Sequence, residues 1–303
     1  MQHVPMSRRG FTMIELLVAL VLLGLVSTAI YRVLVSNQRL YMAQTQRIDL
    51  SQNIRAAATI LPAEFRELDA FDGDIAAMSA TQLDIRAMRW LSFVCVAPVL
   101  AGVNTNLTMI VRGGQAVGQP MFFGARAIRT TDSMLVYLDG DQTTRADDYY
   151  VPARFNGGGA PAGNCPAVGA IPVQPGTIVN WDGNFLVNTN KPSAIPVGAP
   201  VRGFERVTYQ LYRPAGDTSW YVGFQPAGQT MQPLIGPVLT NGLTFSYFDV
   251  NGAATAVRTN VARIDITVRA RTSTMVRRGG QAVRATVVDS VVTSVALRNN
   301  RRF

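Results

Sequence analysis

Gly10-Phe11-Thr12-Met13-Ile14-Glu15-Leu16-Leu17-Val18-Ala19-Leu20 is the stretch on which the reading of this chain turns. It opens an apolar run that extends from Phe11 to Val35, and no charge occurs from Leu16 through Tyr31. As a helix, 25 residues rise about 37 Å, enough to cross a hydrocarbon layer of roughly 30 Å with some tilt. Arg8 and Arg9 precede the run and predict a cytoplasmic start. One residue breaks the pattern: Glu15 stands about one turn inside. A carboxylate at membrane depth costs about 2.5–3.5 kcal/mol on insertion scales and calls for a partner. An ordinary single-span anchor leaves Glu15 and the Gly10-Phe11 junction unexplained. So does a secretory signal cut after Ser27-Thr28-Ala29.

Past the apolar run the helical pattern continues with a different purpose. Ile54, Ala58, Leu61, Phe65 and Leu68 recur at a 4-3-4-3 spacing, which is one helix face. Arg47, Asp49, Gln52, Arg55 and Glu64 supply the polar remainder. This stripe predicts a helix that packs one side against a globular body. Pro62 removes a backbone donor and predicts a kink or restart there.

After Phe71 the pattern turns strand-like, at Leu83–Arg86, Leu91–Ala97, Leu107–Val111, Met134–Leu138 and Tyr149–Arg154. It resumes at Val207–Tyr212, Trp220–Phe224, Leu243–Phe248, Ile264–Arg269 and Val283–Val295. Pro214-Ala215-Gly216-Asp217 predicts a hairpin turn between the run at 207 and the run at 220. Asn251-Gly252 predicts another, closing the run at 243. Between 156 and 200, Gly157-Gly158-Gly159 and seven prolines predict a long loop or an insertion between two sheets. The expected fold class is α+β: a long N-terminal transmembrane and amphipathic helix packed on a β-rich C-terminal domain. With 48% hydrophobic and 16% charged residues, the chain has ample material for that core and is too apolar to be disordered.

The stretch Gly10–Leu20 resembles the cleavage and methylation signature of type IV prepilins and type II secretion pseudopilins. The resemblance implies cutting between Gly10 and Phe11 by a prepilin peptidase, then N-methylation of Phe11. It implies a registration role for Glu15, whose partner would be the new amine of Phe11, its own or that of a neighbouring subunit. The expected organisation is a leader at 1–10, a transmembrane helix at 11–35, its amphipathic continuation at 36–70, and a periplasmic or extracellular β-rich domain at 71–303. Gly24 matches a glycine common in pilin helices; the proline many major pilins carry near Arg32 is missing. A looser likeness covers Leu243–Gly252, Val261–Val268 and Leu297-Arg298-Asn299, which resemble the closing strands of PilW-like minor pilins and J-type pseudopilins. It implies a minor pilin, anchored in the inner membrane, that joins other major and minor pilins in a fibre or at its tip. The alternatives are a type II secretion pseudopilin and a DNA-uptake pilin.

The remaining candidates are weaker. Cys95 and Cys165 are 70 positions apart, too far for a close metal or redox pair. Outside the cytoplasm they read as a disulfide; the other reading is two buried thiols. Asp139, Asp141 and Asp147 form a faint calcium pattern, with Asp148 beside them. However, Tyr150 falls where an EF-hand loop would place its bidentate glutamate. Arg-Gly-Gly-Gln-Ala-Val occurs at 112–117 and again at 278–283, as two Gly-Gly turns would produce. The net charge is +9, and loss of residues 1–10 would lower it to +7 by removing Arg8 and Arg9. Arg277, Arg278, Arg298, Arg301 and Arg302 are the local clusters that phosphate binding would need, but no nucleic-acid motif accompanies them. The only histidine is His3, so a chain cut after Gly10 has no histidine for nucleophile activation. No P-loop, zinc set or dinucleotide fingerprint appears. The sequence therefore predicts a structural subunit, no enzyme and no cofactor.

Overall fold

The computed structural model describes residues 12–98, 106–113, 122–124, 126–129, 132–139, 143, 149–182, 195–277 and 283–298. The chain divides into two units, Met1–Gln52 with Thr272–Val288, and Asn53–Arg271 with Asp289–Phe303. One long apolar N-terminal helix is followed by a large antiparallel sheet, an α+β arrangement of pilin-like type.

The helix, α1, runs from Met13 to Arg66. It passes through Pro62 without a break, so the restart expected there does not occur. A proline inside a helix costs about 3 kcal/mol. Leu61, Phe65 and Leu68, all fully buried around it, each contribute about 1.5–3 kcal/mol by leaving water. Packing of the stripe outweighs the lost hydrogen bond. Ile54 and Ala58 are half-buried, and Ala57 joins the buried face. Phe65 meets Tyr209 and Phe245 edge-on, at ring centroids 5.4 and 6.0 Å away.

The strands, in chain order, are β1 (Ile75–Met78), β2 (Gln82–Val96), β3 (Asn106–Arg112), β4 (Phe123–Gly124), β5 (Ser133–Leu138) and β6 (Tyr149–Cys165). There follow β7 (Gln174–Asp182), β8 (Pro200–Tyr212), β9 (Trp220–Pro226), β10 (Gln232–Phe248) and β11 (Arg263–Arg271). The last are β12 (Val276–Arg277), β13 (Arg284–Ala285) and β14 (Val288–Ala296). The first two predicted runs are one strand, β2, and the last predicted run is two, β13 and β14.

The second unit holds two arrangements that share strands. The first is a meander, β8–β9–β10–β11, joined by antiparallel hairpins. Both predicted turns are present. Gly216 has φ +81° and Asp217 N–H donates to Pro214 C=O. Gly252 has φ +79° and its N–H donates to Asp249 C=O. The alternation of Val207, Tyr209 and Leu211 sends Val207 and Tyr209 into the core.

The second arrangement replaces the loop expected at 156–200 with strand at 156–165 and 174–182, in keeping with the alternative of an insertion; 183–194 lie outside the described residues. β6 continues to Cys165, and β7 pairs with β6 on one side and β3 on the other. β3 pairs with the end of β2, β2 with β8, β8 with β5, and β5 with β6. The circuit β2–β3–β7–β6–β5–β8 is thus closed, a six-stranded antiparallel barrel in which β3, β5, β6 and β7 are inserted in the chain between the paired strands β2 and β8. Its interior is filled at alternate positions, among them Met134, Val136 and Leu138 on β5 and Val179 and Trp181 on β7. Trp90 stacks on Phe122 at 6.0 Å inside it. Gly203 of β8 lies against the Trp90 indole so closely that an added Cβ would fall 1.9 Å from it. The glycine lets the ring fill the junction of barrel and meander.

Candidate functional site

The N-terminal end of α1 is built by its first four described residues. Thr12 precedes the helix, and its Oγ1 accepts the Glu15 N–H at 3.3 Å while its C=O accepts the Leu16 N–H. Thr12-Met13-Ile14-Glu15 therefore has the spacing of a capping box, with Glu15 at the third helical position, where its charge also suits the positive end of the helix dipole. The signal stands in the sequence, but an apolar run with one carboxylate draws the eye to the membrane and away from the cap. The helix surface from Met13 to Leu34 is exposed throughout, large aliphatic side chains included. Among the described residues, α1 is the one helix long and apolar enough to cross a membrane. Thr28 returns its hydroxyl to the Gly24 C=O at 2.8 Å, so it adds no unpaired polar group to this surface. Gly10 and Phe11 lie outside the described residues.

At its other end α1 is held by polar contacts as well as by Phe65. Asn53 Nδ2 donates to Gly236 C=O at 2.8 Å, where β10 shifts register. Glu64, expected on the polar face, instead receives Arg89 of β2 at 2.9 Å. Arg89 also meets Glu205 of β8 at 3.0 Å. Arg126 continues the chain of charges, to Glu205 at 3.5 Å and to the buried Asp132 at 2.6 Å, and Trp90 Nε1 donates to Asp132. Burial works against the Arg89 charge, but Glu64 and Glu205 outweigh it and hold its pKa above the usual value. The Asp132 hydrogen bond does the same for Arg126. Burial, with Glu64 beside it, keeps the Tyr209 hydroxyl protonated. The Arg66 C=O at the helix end accepts the Arg298 N–H, and the Arg298 side chain pairs with Glu67 at 3.3 Å. Arg298, counted among the basic clusters, thus closes a helix terminus.

Below that terminus lies a second charged group. Arg202 donates to Asp74 Oδ2 at 3.1 Å, and the same oxygen accepts the Asp69 N–H. Asp69 is pushed up to about 6, first by burial and then by the nearby charges of Asp72 and Asp74, against a lowering hydrogen bond from Asp72 N–H. Burial likewise raises Asp74, in spite of Arg202.

Cys95 of β2 and Cys165 at the end of β6 are joined sulfur to sulfur, with Cα atoms 5.6 Å apart. Of the calcium candidates, Asp139 directly follows β5; Asp141, Asp147 and Asp148 lie outside the described residues. No group of three or more His, Cys, Asp or Glu suited to a metal occurs among the described residues. Of the repeated hexapeptide, Arg112 ends β3 and Gly113 follows it; 114–117 and 278–282 lie outside the described residues.

Residues 5–31 match the family model described as the prokaryotic N-terminal methylation motif. The match supports a type IV pilin-like protein. The motif implies processing by a prepilin peptidase and assembly with other pilins, and it points to a structural protein in place of an enzyme. The exposed apolar helix of this pilin-like chain is compatible with membrane anchoring. No curated protein and no solved structure matches the chain.

Proposed function

We propose that this chain is a minor pilin of PilW-like kind, inserted in the inner membrane by residues 11–35 and displayed outward through its β-rich domain at or near a fibre tip. The observation that carries the reading is the methylation motif set directly on an exposed apolar helix whose far end is built into a folded domain. The strands inserted between β2 and β8 support display, since they enlarge the domain beyond the sheet on which Phe65 packs. Gly10-Phe11 is the cleavage site in this reading, and Cys95–Cys165 is a disulfide formed outside the cytoplasm.

Glu15 is the registration residue. Its carboxylate is tolerable in a low-dielectric fibre only when paired or protonated, and the N-terminal amine of a neighbour is the available cation. A stagger that makes this pair is favoured over others that leave Glu15 alone. Glu15→Val makes the span more apolar, so it should insert and be cleaved normally, and should fail at incorporation. The measurement is the ratio of variant protein in sheared fibres to that in membranes, beside wild type. Equal incorporation would remove the pairing role.

A further inference from the structure

The barrel carries one feature that neither its core nor the assembly reading uses. Between β6 and β7 the chain from Pro166 to Val173 reads Pro-Ala-Val-Gly-Ala-Ile-Pro-Val, eight residues without one charged or hydrogen-bonding side chain. Connecting tips of this kind are ordinarily polar and solvated. Here every residue is exposed except Ile171, which is half-buried, and Val168 and Val173 are 48% and 56% exposed.

The tip is also held firmly in shape. Val168 and Ile171 exchange both backbone hydrogen bonds, at 3.0 and 2.9 Å, around a Gly169-Ala170 turn in which Gly169 takes φ +55°. Directly at its base, Cys165 is joined to Cys95 of β2. The buried Arg112 donates from Nη2 to Pro166 C=O at 2.9 Å. On the opposite limb Pro175 C=O accepts the Gly113 N–H at 2.7 Å. The ordering entropy of the hairpin is therefore met within the fold, before any contact is made.

We propose that the 166–173 hairpin is a membrane-inserting finger whose ligand is the acyl region of a phospholipid surface. Three observations favour lipid over a protein groove. A protein interface commonly draws on aromatic or arginine anchors and a polar rim, and the finger supplies neither. Pro166 and Pro172 have no N–H, and Val168 and Ile171 pair theirs with each other, so four of the eight positions add no unpaired donor, which lowers the cost of entering a medium without water. The finger is a convex tip of small aliphatic groups and prolines, a shape that enters between lipid chains without needing a complementary cavity.

The test uses the full chain, held by its own helix in phosphatidylcholine nanodiscs and mixed with separate phosphatidylcholine vesicles. Val168→Trp adds an emitter at the tip, read as the difference from the unsubstituted chain. Acyl-brominated lipid is supplied either in the disc or in the vesicles. Loss of most of the added emission in one arm is the expected result, and the arm identifies which membrane the finger enters. Adding Val173→Asp to the same variant should restore the emission, with the Cys95–Cys165 bridge still intact by peptide mapping. A Val173→Leu partner should leave the quenching in place. Quenching in neither arm overturns the proposal, as does quenching that Val173→Asp leaves unchanged. Quenching only by vesicles made with phosphatidylglycerol also overturns it, since a basic surface would then be responsible. A protein found docked on the finger, with no quenching by lipid, assigns it to a protein partner instead.

Discussion

The sheet that carries the meander and the barrel share two strands, β2 and β8, and use different parts of each. Residues Gln82–Met88 of β2 and Phe204–Gln210 of β8 belong to the sheet on which the end of α1 rests, whereas Trp90–Phe93 and Pro200–Gly203 close the barrel. The meander obtains its core from outside itself: Phe65 and Leu61 of the helix complete the layer formed by Tyr209 and Phe245. The barrel encloses its own core, since closing the circuit of strands removes the edges and turns one face of each strand inward. A pilin-like helix can thus be built into one half of a sheet while the other half elaborates independently. The link between them is the row Glu64–Arg89–Glu205–Arg126–Asp132, in which each charge has an opposite neighbour.

The largest expected effect breaks the helix–meander half alone. Phe65→Ala should cost about 3–5 kcal/mol, as truncation of a fully buried aromatic does. Hydrogen exchange should show β8 beyond Val207, β9 and β10 losing protection while β5 and the 149–154 part of β6 keep theirs. Equal loss in both regions would mean that they unfold as one, and the comparison would fail.

The reciprocal change comes next. Cys95→Ser with Cys165→Ser should cost about 2–4 kcal/mol, the typical contribution of a disulfide. The loss should appear first in β6, β7 and β3, with the Phe65 contacts undisturbed, as read by the same exchange measurement. A chain whose barrel keeps full protection without the bridge would show that closure alone is sufficient.

The smallest effect concerns the turn at the helix end. Asp69 is raised from its ordinary 3.8 to about 6, so the folded state holds its proton more tightly than the unfolded chain does. Its contribution to stability is therefore full below about pH 4 and is lost as the pH rises through about 6. Asp69→Asn should flatten the stability profile over that window, seen in denaturant midpoints of the two proteins. A wild type whose midpoint rises across the same window faster than that of the variant would contradict the assignment.

Legibility in the sequence followed the same division. The helix and meander announce themselves: a 4-3-4-3 stripe through Phe65, alternation at Val207–Leu211, and two turns with glycine where φ must be positive. The barrel was hidden by its composition. Gly157–Gly159 and the prolines at 161, 166, 172 and 175 read as loop, yet β6 accommodates Pro161 at a register shift and β7 takes Pro175 near its start. Thr177, Val179 and Trp181, all fully buried, do alternate, but three positions among so many prolines are a weak signal. Closure itself could not be read, because it depends on which strands pair across more than 100 residues, as β2 and β8 do. At the site, Glu15 is conspicuous as a charge in an apolar run, whereas Thr12 blends into that run although its spacing to Glu15 is that of a cap. The pairing of Glu64 with Arg89 lay beyond any local pattern, 25 positions apart on two elements.

The central claim is that this chain enters a fibre as a processed pilin subunit, and the mature N-terminus tests it most directly. Intact-mass and N-terminal peptide mass spectrometry of protein taken from the native membrane should find a chain that begins at Phe11 and carries one N-methyl group. A chain that still begins at Met1, or one that begins at Ile30 after a secretory cut, would contradict it.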